Sequence, residues 1–378
     1  ITGSAEDIIK DRKIKQRETF LNLSWGAYLW AKMCNLVLLA LYQSLIFTLI
    51  GNGVMGISSG FVYYFAVLFV TWVSAGTLGL LISDSFKTVV TIYILIPFLV
   101  IPQIILSGVL VRFDRLNPSF TSYETVPWYG ELIVTRWAYE ALAVQQFRNN
   151  DYTRPLYNYE QLISLADYKR NYWLRAMRQR VTELEKEPWS EAKRATWHLI
   201  QNELCDDADY YRGSGLRFPL DPLYYDSAPN QDLLRLISSH LNRLETYYGR
   251  MYSRSSQRRD SIIRQMQGRT PAERERFNRL KEENYNVALS KLLRSVDETE
   301  KIAVYNERLL QHYDPIYQFP RRNTLKSHFY APYKRLLGVY IDTYWLNLFV
   351  LVASIFLQWL MLYFRVLKRL LDRLGGLF

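Results

Sequence analysis

Apolar residues gather in four runs along this chain, separated by strongly polar sequence. Residues 88–111 read TVVTIYILIPFLVIPQIILSGVLV, without a single charge. Phe61–Ile82 and Trp345–Phe364 are nearly as apolar, and Leu29–Ile50 carries only Lys32. A helix needs roughly 20 such residues to cross a hydrocarbon core about 30 Å thick, so the pattern predicts four membrane spans. GNG at 51–53 and GISSG at 56–60 join the first to the second, and SDSFK at 83–87 joins the second to the third. Links this short make the first three spans antiparallel neighbours. Pro97 and Pro102 interrupt the third. A bent or partly unwound helix is expected there, either a moving, substrate-contacting element or a static kink.

Polar residues inside these runs are candidates for function. Asn35, Gln43, Ser44 and Thr48 lie in the first span, Thr88, Thr91, Tyr93, Gln103 and Ser107 in the third, and Asn347 and Gln358 in the last. Unpaired polar groups are costly in lipid, so these should face protein or a wet cavity. Ser74, Ala75, Gly76 and Gly79 allow close helix approach in the second span. Asn35, Gln43, Gly76 and Gly79 are therefore the expected packing positions. Thr91, Phe98 and Gln103 are expected on a transport path beside the bent third span.

The flanking sequence sets the orientation. Lys10, Arg12, Lys13, Lys15 and Arg17 precede the first span, and RVLKRLLDR follows the last at 365–373. Short basic flanks read as cytoplasmic, and an even number of spans lets both ends share a side. The segment from Arg112 to about Asp342 is then extracytoplasmic. Residues 5–18 form a short charged helix, either lying on the membrane surface or another subunit, or simply solvated. Residues 126–147, with Trp128, Tyr129, Trp137 and Tyr139, read as one or two short helices at the interface or as a buried helix. Helical spacing covers 160–204 and resumes near Gln231. Gly268 is an expected break, and Thr270, Pro271 and Glu273 form a helix-start signature. The helix that follows is expected to run to about His312 and to pair with residues 231–258.

Composition refines this picture. The chain has 378 residues and a formal net charge of +11. In a soluble protein that balance would suggest nucleic acid. Here much of the excess can sit beside lipid headgroups, and no nucleic-acid partner is expected. Cys34 and Cys205 lie in different segments, so packing must hold the polar segment together. There is no Gly-rich loop ending in Lys-Ser/Thr. His198, His240, His312 and His328 lack metal-ligand spacing. No catalytic constellation, cofactor site or metal site is expected. The first residue is Ile1, so the chain is expected to be a piece of something longer.

One resemblance follows from the motifs. Asp11-Arg12, Arg17-Glu18, Ser24, Tyr28 and Ala31-Lys32 resemble the region opening the third membrane helix of G-type (white/pleiotropic-drug-resistance-like) ABC transporters. Ser107-Gly108, Leu110, Pro127-Trp128, Tyr139-Glu140-Ala141-Leu142 and Phe147 follow in the order found after that family's fifth helix. A Ser-Pro pair common there is replaced by Val134-Thr135-Arg136-Trp137. The last loop is much longer than usual and looks like that of a bacterial, Bacteroidetes-like relative.

The resemblance implies an all-α integral membrane protein: ABC-2/G-type transmembrane helices with a large, mainly helical extracytoplasmic insertion. Its expected parts are a cytoplasmic coupling helix at 1–24, three transmembrane helices at 25–112 and interfacial or re-entrant helices at 113–147. An extracytoplasmic helical domain at 148–340, a last transmembrane helix at 341–366 and a basic tail at 367–378 complete it. The implied function is the transmembrane part of an ATP-driven exporter in a cell inner membrane, working as a homodimer or pseudo-dimer. Arg12, Arg17 and Glu18 would couple it to a nucleotide-binding domain, in cis or in trans, that holds ATP and Mg. Membrane lipids and an envelope protein are the other partners implied. The competing class is a membrane-anchored helical scaffold that binds cell-envelope proteins.

Overall fold

A computed structural model describes residues 1–17, 20, 23–57, 59–86, 88–111, 113, 124–186, 189–210, 216–219, 229–320 and 325–375. Its chain forms two compact units, residues 1–150 with 320–378, and residues 151–319.

The first unit opens with α1 (Thr2–Ala5) and α2 (Asp7–Arg17), followed by α3 (Trp25–Met55). Ser24 caps α3 by accepting the Ala27 amide at 3.2 Å. At 31 residues, α3 is longer than the 29–50 run. It is about 46 Å long at the helical rise, so it outreaches the hydrocarbon core. α4 (Phe61–Ser85) also runs past its apolar stretch. Ser83, Asp84 and Ser85, expected in a polar link, are its buried last turn.

α5 (Val89–Ile105) corrects the expectation for the third span, because the uncharged run is 24 residues but the helix is only 17. It covers about 25 Å, short of the core. Pro97 and Pro102 lie within the helix, which ends at Leu106. The chain then turns at Gly108 (φ +81°). A Cβ there would stand 2.7 Å from both Phe113 and Phe329. α6 (Trp128–Glu131) and α7 (Val134–Arg148) follow. Trp137, Ala138, Glu140, Ala141, Val144 and Phe147 of α7 are buried.

The second unit comprises α8 (Tyr157–Tyr168), a π-turn over Lys169–Trp173, α9 (Leu174–Lys186), α10 (Glu191–Tyr210) and α11 (Gln231–Gln267). α12 (Pro271–Asn284), α13 (Val287–Arg294) and the strands β1 (Ile302–Tyr305) and β2 (Arg308–Gln311) complete it. Its core gathers Trp173, Leu174, Met177, Val181, Trp197, Ile200, Leu234, Ile237, Leu241 and Leu244. α11 packs chiefly along α8 and α9 and less against α12, the partner that the periodicity suggested.

The capping box at Thr270 and Glu273 forms as the sequence indicates. The long helix expected to follow does not. It stops at Asn284, because Asn286 starts α13 by accepting the Leu289 amide at 3.0 Å. Ser295 ends α13 in the left-handed region (φ 48°). The hairpin β1–β2 then occupies residues expected to be helical, with Ile302 opposite Gln311.

The chain returns to the first unit at 320. A second hairpin joins β3 (Tyr333–Leu336) to β4 (Val339–Asp342), with Tyr333 opposite Asp342. α14 (Thr343–Tyr363) follows directly, its first turn capped by Asp342. Arg365 (φ 51°) turns the chain into α15 (Val366–Gly375).

α14 packs against α4 and α7, and α3 against α4. Tyr344 donates to Tyr63 O at 3.1 Å near one end of α4, and Arg365 lies 3.7 Å from Asp84 near the other. α4 and α14 are thus parallel. α3 runs the opposite way, with Trp25 Nε1 donating to Tyr363 O at 3.1 Å. Both basic flanks therefore meet at one end of the bundle.

Three helices, α3, α4 and α14, are long and apolar enough to cross a membrane, and α5 is a shorter apolar helix. The fold is that of a mostly helical, multi-pass integral membrane protein with a mainly helical insertion and two small β-hairpins.

Candidate functional site

The first site lies where α2 meets the bundle. Ile8 and Ile9 turn their amides toward the last turn of α4, and both donate to Ser83 Oγ at 3.1 Å. Arg12 Nη2 donates to Asp84 O at 3.3 Å and Phe86 O at 3.1 Å. These carbonyls lie at a helix C-terminus, where partial negative charge favours a cation. The adjacent residue, Asp11, accepts from Tyr28 Oη at 3.0 Å and pairs with Lys32 at 2.7 Å. α2 is thus tied to the end of α4 and the start of α3 together.

Two glycines let this contact form. A Cβ on Gly79 would meet the Ser4 hydroxyl, and Ile1 O at 2.6 Å. A Cβ on Gly76 would stand 2.5 Å from Leu36 Cδ1. α1 therefore rests directly on α4, and α3 crosses α4 one turn away.

A buried ionic cluster stands at the opposite end. Arg136 and Glu140, one turn apart on α7, are both fully buried. Arg136 bonds Glu131 at 2.7 Å and Glu140 at 3.1 Å, and its Nε donates to Gly130 O at 3.0 Å. The same Glu140 oxygen accepts from Lys334 Nζ at 3.0 Å and Asn347 Nδ2 at 2.9 Å. The Arg136 guanidinium also lies 3.7 Å from the Trp137 ring centroid.

Two cations thus face two carboxylates, so the charges balance. Burial pushes the Glu140 carboxyl upward, but Lys334, Arg136 and the Asn347 hydrogen bond hold it below the usual range. It stays ionised and binds α7 to β3 and to the first turns of α14. Nearby, Arg148 pairs with Asp342 and donates to Tyr333 Oη at 2.6 Å.

The predicted residues fall in several places. Arg12 enters the α2 contact, whereas Arg17 is exposed at the end of α2, and Glu18 lies outside the described residues. Asn35 and Gln43 are exposed on α3, where the buried polar residues are Ser44 and Thr48. Thr91 is exposed and bonds Thr88 Oγ1 at 2.6 Å, and Phe98 is 72% exposed. Gln103 is half-buried, and its carbonyl accepts from Thr135 Oγ1 of α7 at 3.0 Å. Each proline withdraws an amide from the α5 ladder. Ile92 is the one buried residue of α5, which contributes little to its own chain's core.

Sequence reasoning missed the ionic cluster and the Ser83 contact. Arg136 and Glu140 carried a signal, an oppositely charged pair at helical spacing within aromatic, apolar sequence. Lys334 carried none. Between α4 and α14, Gln358 Nε2 donates to Ser74 Oγ at 3.3 Å, and Ser74 meets Ser354 at 3.4 Å.

Within the second unit, a cavity of about 300 Å³ is lined by Glu160, Asp167, Arg294, Lys301, Tyr313 and Asp314 among others. Arg294 pairs with Asp314 at 2.8 Å, and Tyr313 donates to Asp167 at 2.9 Å. Among the described residues, no group of three or more His, Cys, Asp or Glu could hold a metal ion.

A membrane bundle with a short helix clasped across one end defines the class of protein. Residues 1–147, which contain that clasp, α3 to α5 and nearly all of α7, match the family model of the ABC-2 type transporter. No curated protein and no solved structure matches the chain.

Proposed function

We propose that this chain forms half of the substrate path of an ATP-driven exporter in a cell inner membrane. The family match over 1–147, falling on a bundle whose end is gripped by α2, carries the reading. In this reading α2 receives the movement of a nucleotide-binding domain and passes it to α3 and α4 through Ser83, Asp84 and Tyr28. Arg12 is the coupling contact, with Arg17 and Glu18 at the junction to α3. ATP and Mg are held by that partner domain.

Thr91, Phe98 and Gln103 line the path along α5. The α5 carbonyls released by Pro97 and Pro102 suit a wet surface. Asn35 and Gln43 pack against a further helix of the assembly, since exposed polar side chains are disfavoured in lipid. Two copies related by a twofold axis enclose the path. The basic flanks gathered at one end of the bundle support a cytoplasmic position for both chain ends. Residues 151–319 are then extracytoplasmic and serve delivery or docking of an envelope protein.

The test is transport by the protein reconstituted in lipid with its nucleotide-binding domain. Arg12→Ala and Glu18→Ala should uncouple ATP hydrolysis from substrate movement while leaving membrane insertion intact. Wild-type coupling in both variants would remove the role given to α2. ATPase silence across a broad substrate panel would favour the scaffold class instead.

A further inference from the structure

We propose that Lys15, Arg365 and Lys368 form a binding site for the phosphate of an anionic phospholipid headgroup, with α15 lying in the membrane surface beside it. Among the described residues, Lys15 Nζ is shielded from solvent and has no hydrogen-bond acceptor. It stands 4.0 Å over the Trp25 ring centroid and 4.2 Å over that of Tyr28. The Arg365 guanidinium covers the same indole at 3.9 Å, and its Nε also lacks a hydrogen-bond acceptor among the described residues. Its carboxylate partner, Asp84, is 3.7 Å away.

Asp11, the other nearby acid among the described residues, is engaged by Lys32 and Tyr28. Lys15 and Arg365 therefore share Asp84, and Lys368 adds a third positive charge close enough to repel Lys15. Burial lowers the Lys15 amine's pKa, and repulsion from Arg365 and Lys368 adds to that. Aromatic faces hold Lys15 and Arg365 without neutralising them, so the cluster is completed by an anion with several acceptor oxygens.

The source of that anion follows from α15. At 100° per residue, Val366, Leu367, Leu370 and Leu371 fall on one face and Lys368, Arg369, Asp372 and Arg373 on the other. Leu367 packs on the bundle core, while Val366 and Leu370 are 42% and 51% exposed. A basic amphipathic helix just beyond a spanning helix suits the headgroup boundary of an anionic leaflet. The phosphate of a lipid lying along α15 would reach the cation cluster, whereas a free phosphate would leave Val366 and Leu370 without cover.

The chain purified in mild detergent is titrated with phosphatidylglycerol, phosphatidylcholine or glycerol phosphate. Bound lipid is read by native mass spectrometry and protection by thermal unfolding. Phosphatidylglycerol should be retained and should raise the melting temperature, and the other two should not. Lys15→Gln and Lys368→Gln should each weaken that binding roughly fivefold, the effect of one cation at an anionic surface. Lys13→Gln, on the exposed side of α2, should leave it unchanged. Equal retention of phosphatidylcholine, or undiminished binding in Lys368→Gln, would overturn the site. Equal protection by glycerol phosphate would overturn the lipid assignment. If Lys15→Gln fails to fold, Lys368→Gln decides, because Lys368 does not stack on Trp25.

Discussion

A single carboxylate, Glu140, carries three polar side-chain contacts in a place water does not reach. Removing one member of such a cluster leaves the others buried without a partner, at a cost of about 3–5 kcal/mol. Glu140→Gln should therefore destabilise the first unit strongly, as should Lys334→Met. The double variant should lose less than the sum of the two, since the pair shares one interaction. Unfolding of purified protein in detergent reads all three, and strict additivity would show that Glu140 and Lys334 do not act together.

His240 offers a second residue-scale test. It is buried in the second unit beside Phe218, and its Nδ1 has no hydrogen-bond partner among the described residues. Burial, aided by Arg243, lowers its pKa from 6.5 to about 4. The unfolded chain then binds the proton more readily than the folded one. Stability is unaffected above about pH 6.5 and falls as pH drops toward 4. Hydrogen exchange of α11 should accelerate over that window, and His240→Phe should remove this component. An unchanged pH dependence in His240→Phe would assign the effect elsewhere.

At the scale of elements, the α1–α4 contact depends on Gly79. Gly79→Ala places a methyl against Ser4 and Ile1 O. Such overpacking costs about 1–3 kcal/mol, and it should lift α1 while leaving the α3–α4 crossing at Gly76 in place. A cysteine at Ser4 should gain reactivity toward a water-soluble thiol reagent in that variant. Equal labelling in both backgrounds would mean that α1 does not rest on α4.

The elements also show where local signals suffice. Thr270, Pro271 and Glu273 lie within four residues of one another, so their capping box was legible in the sequence. The two hairpins were not. Their turns are Asn306-Glu307 and Leu337-Gly338, with positive φ throughout, and neither pair is the Asn-Gly or Asp-Gly signal that marks such a turn. The apolar residues from Phe277 to Val296 kept helical spacing across a real break, because periodicity does not register a cap such as Asn286.

For the molecule as a whole, residues 151–319 enclose their own core. Expressed alone, this segment should be soluble and mainly helical by circular dichroism, with cooperative thermal unfolding. Aggregation, or a non-cooperative melt, would show that its core depends on the rest of the chain.

Sequence by itself determined that the chain enters a membrane, because hydropathy over 20 residues is a local sum. It also determined the helical character of most of the insertion and the basic flanks. Tertiary structure decided which polar groups those helices serve. Ser83 and Asp84 read as a link until α2 arrives to use them. Lys334 carried no signal until the fold set it against Glu140, 194 residues away in sequence. The span from Thr88 to Val111 read as one crossing helix, yet Gly108 turns to admit Phe113 and Phe329 beside it. A buried charge or a close approach is defined by its partner, and no local pattern records a partner the chain brings back from so far along its length.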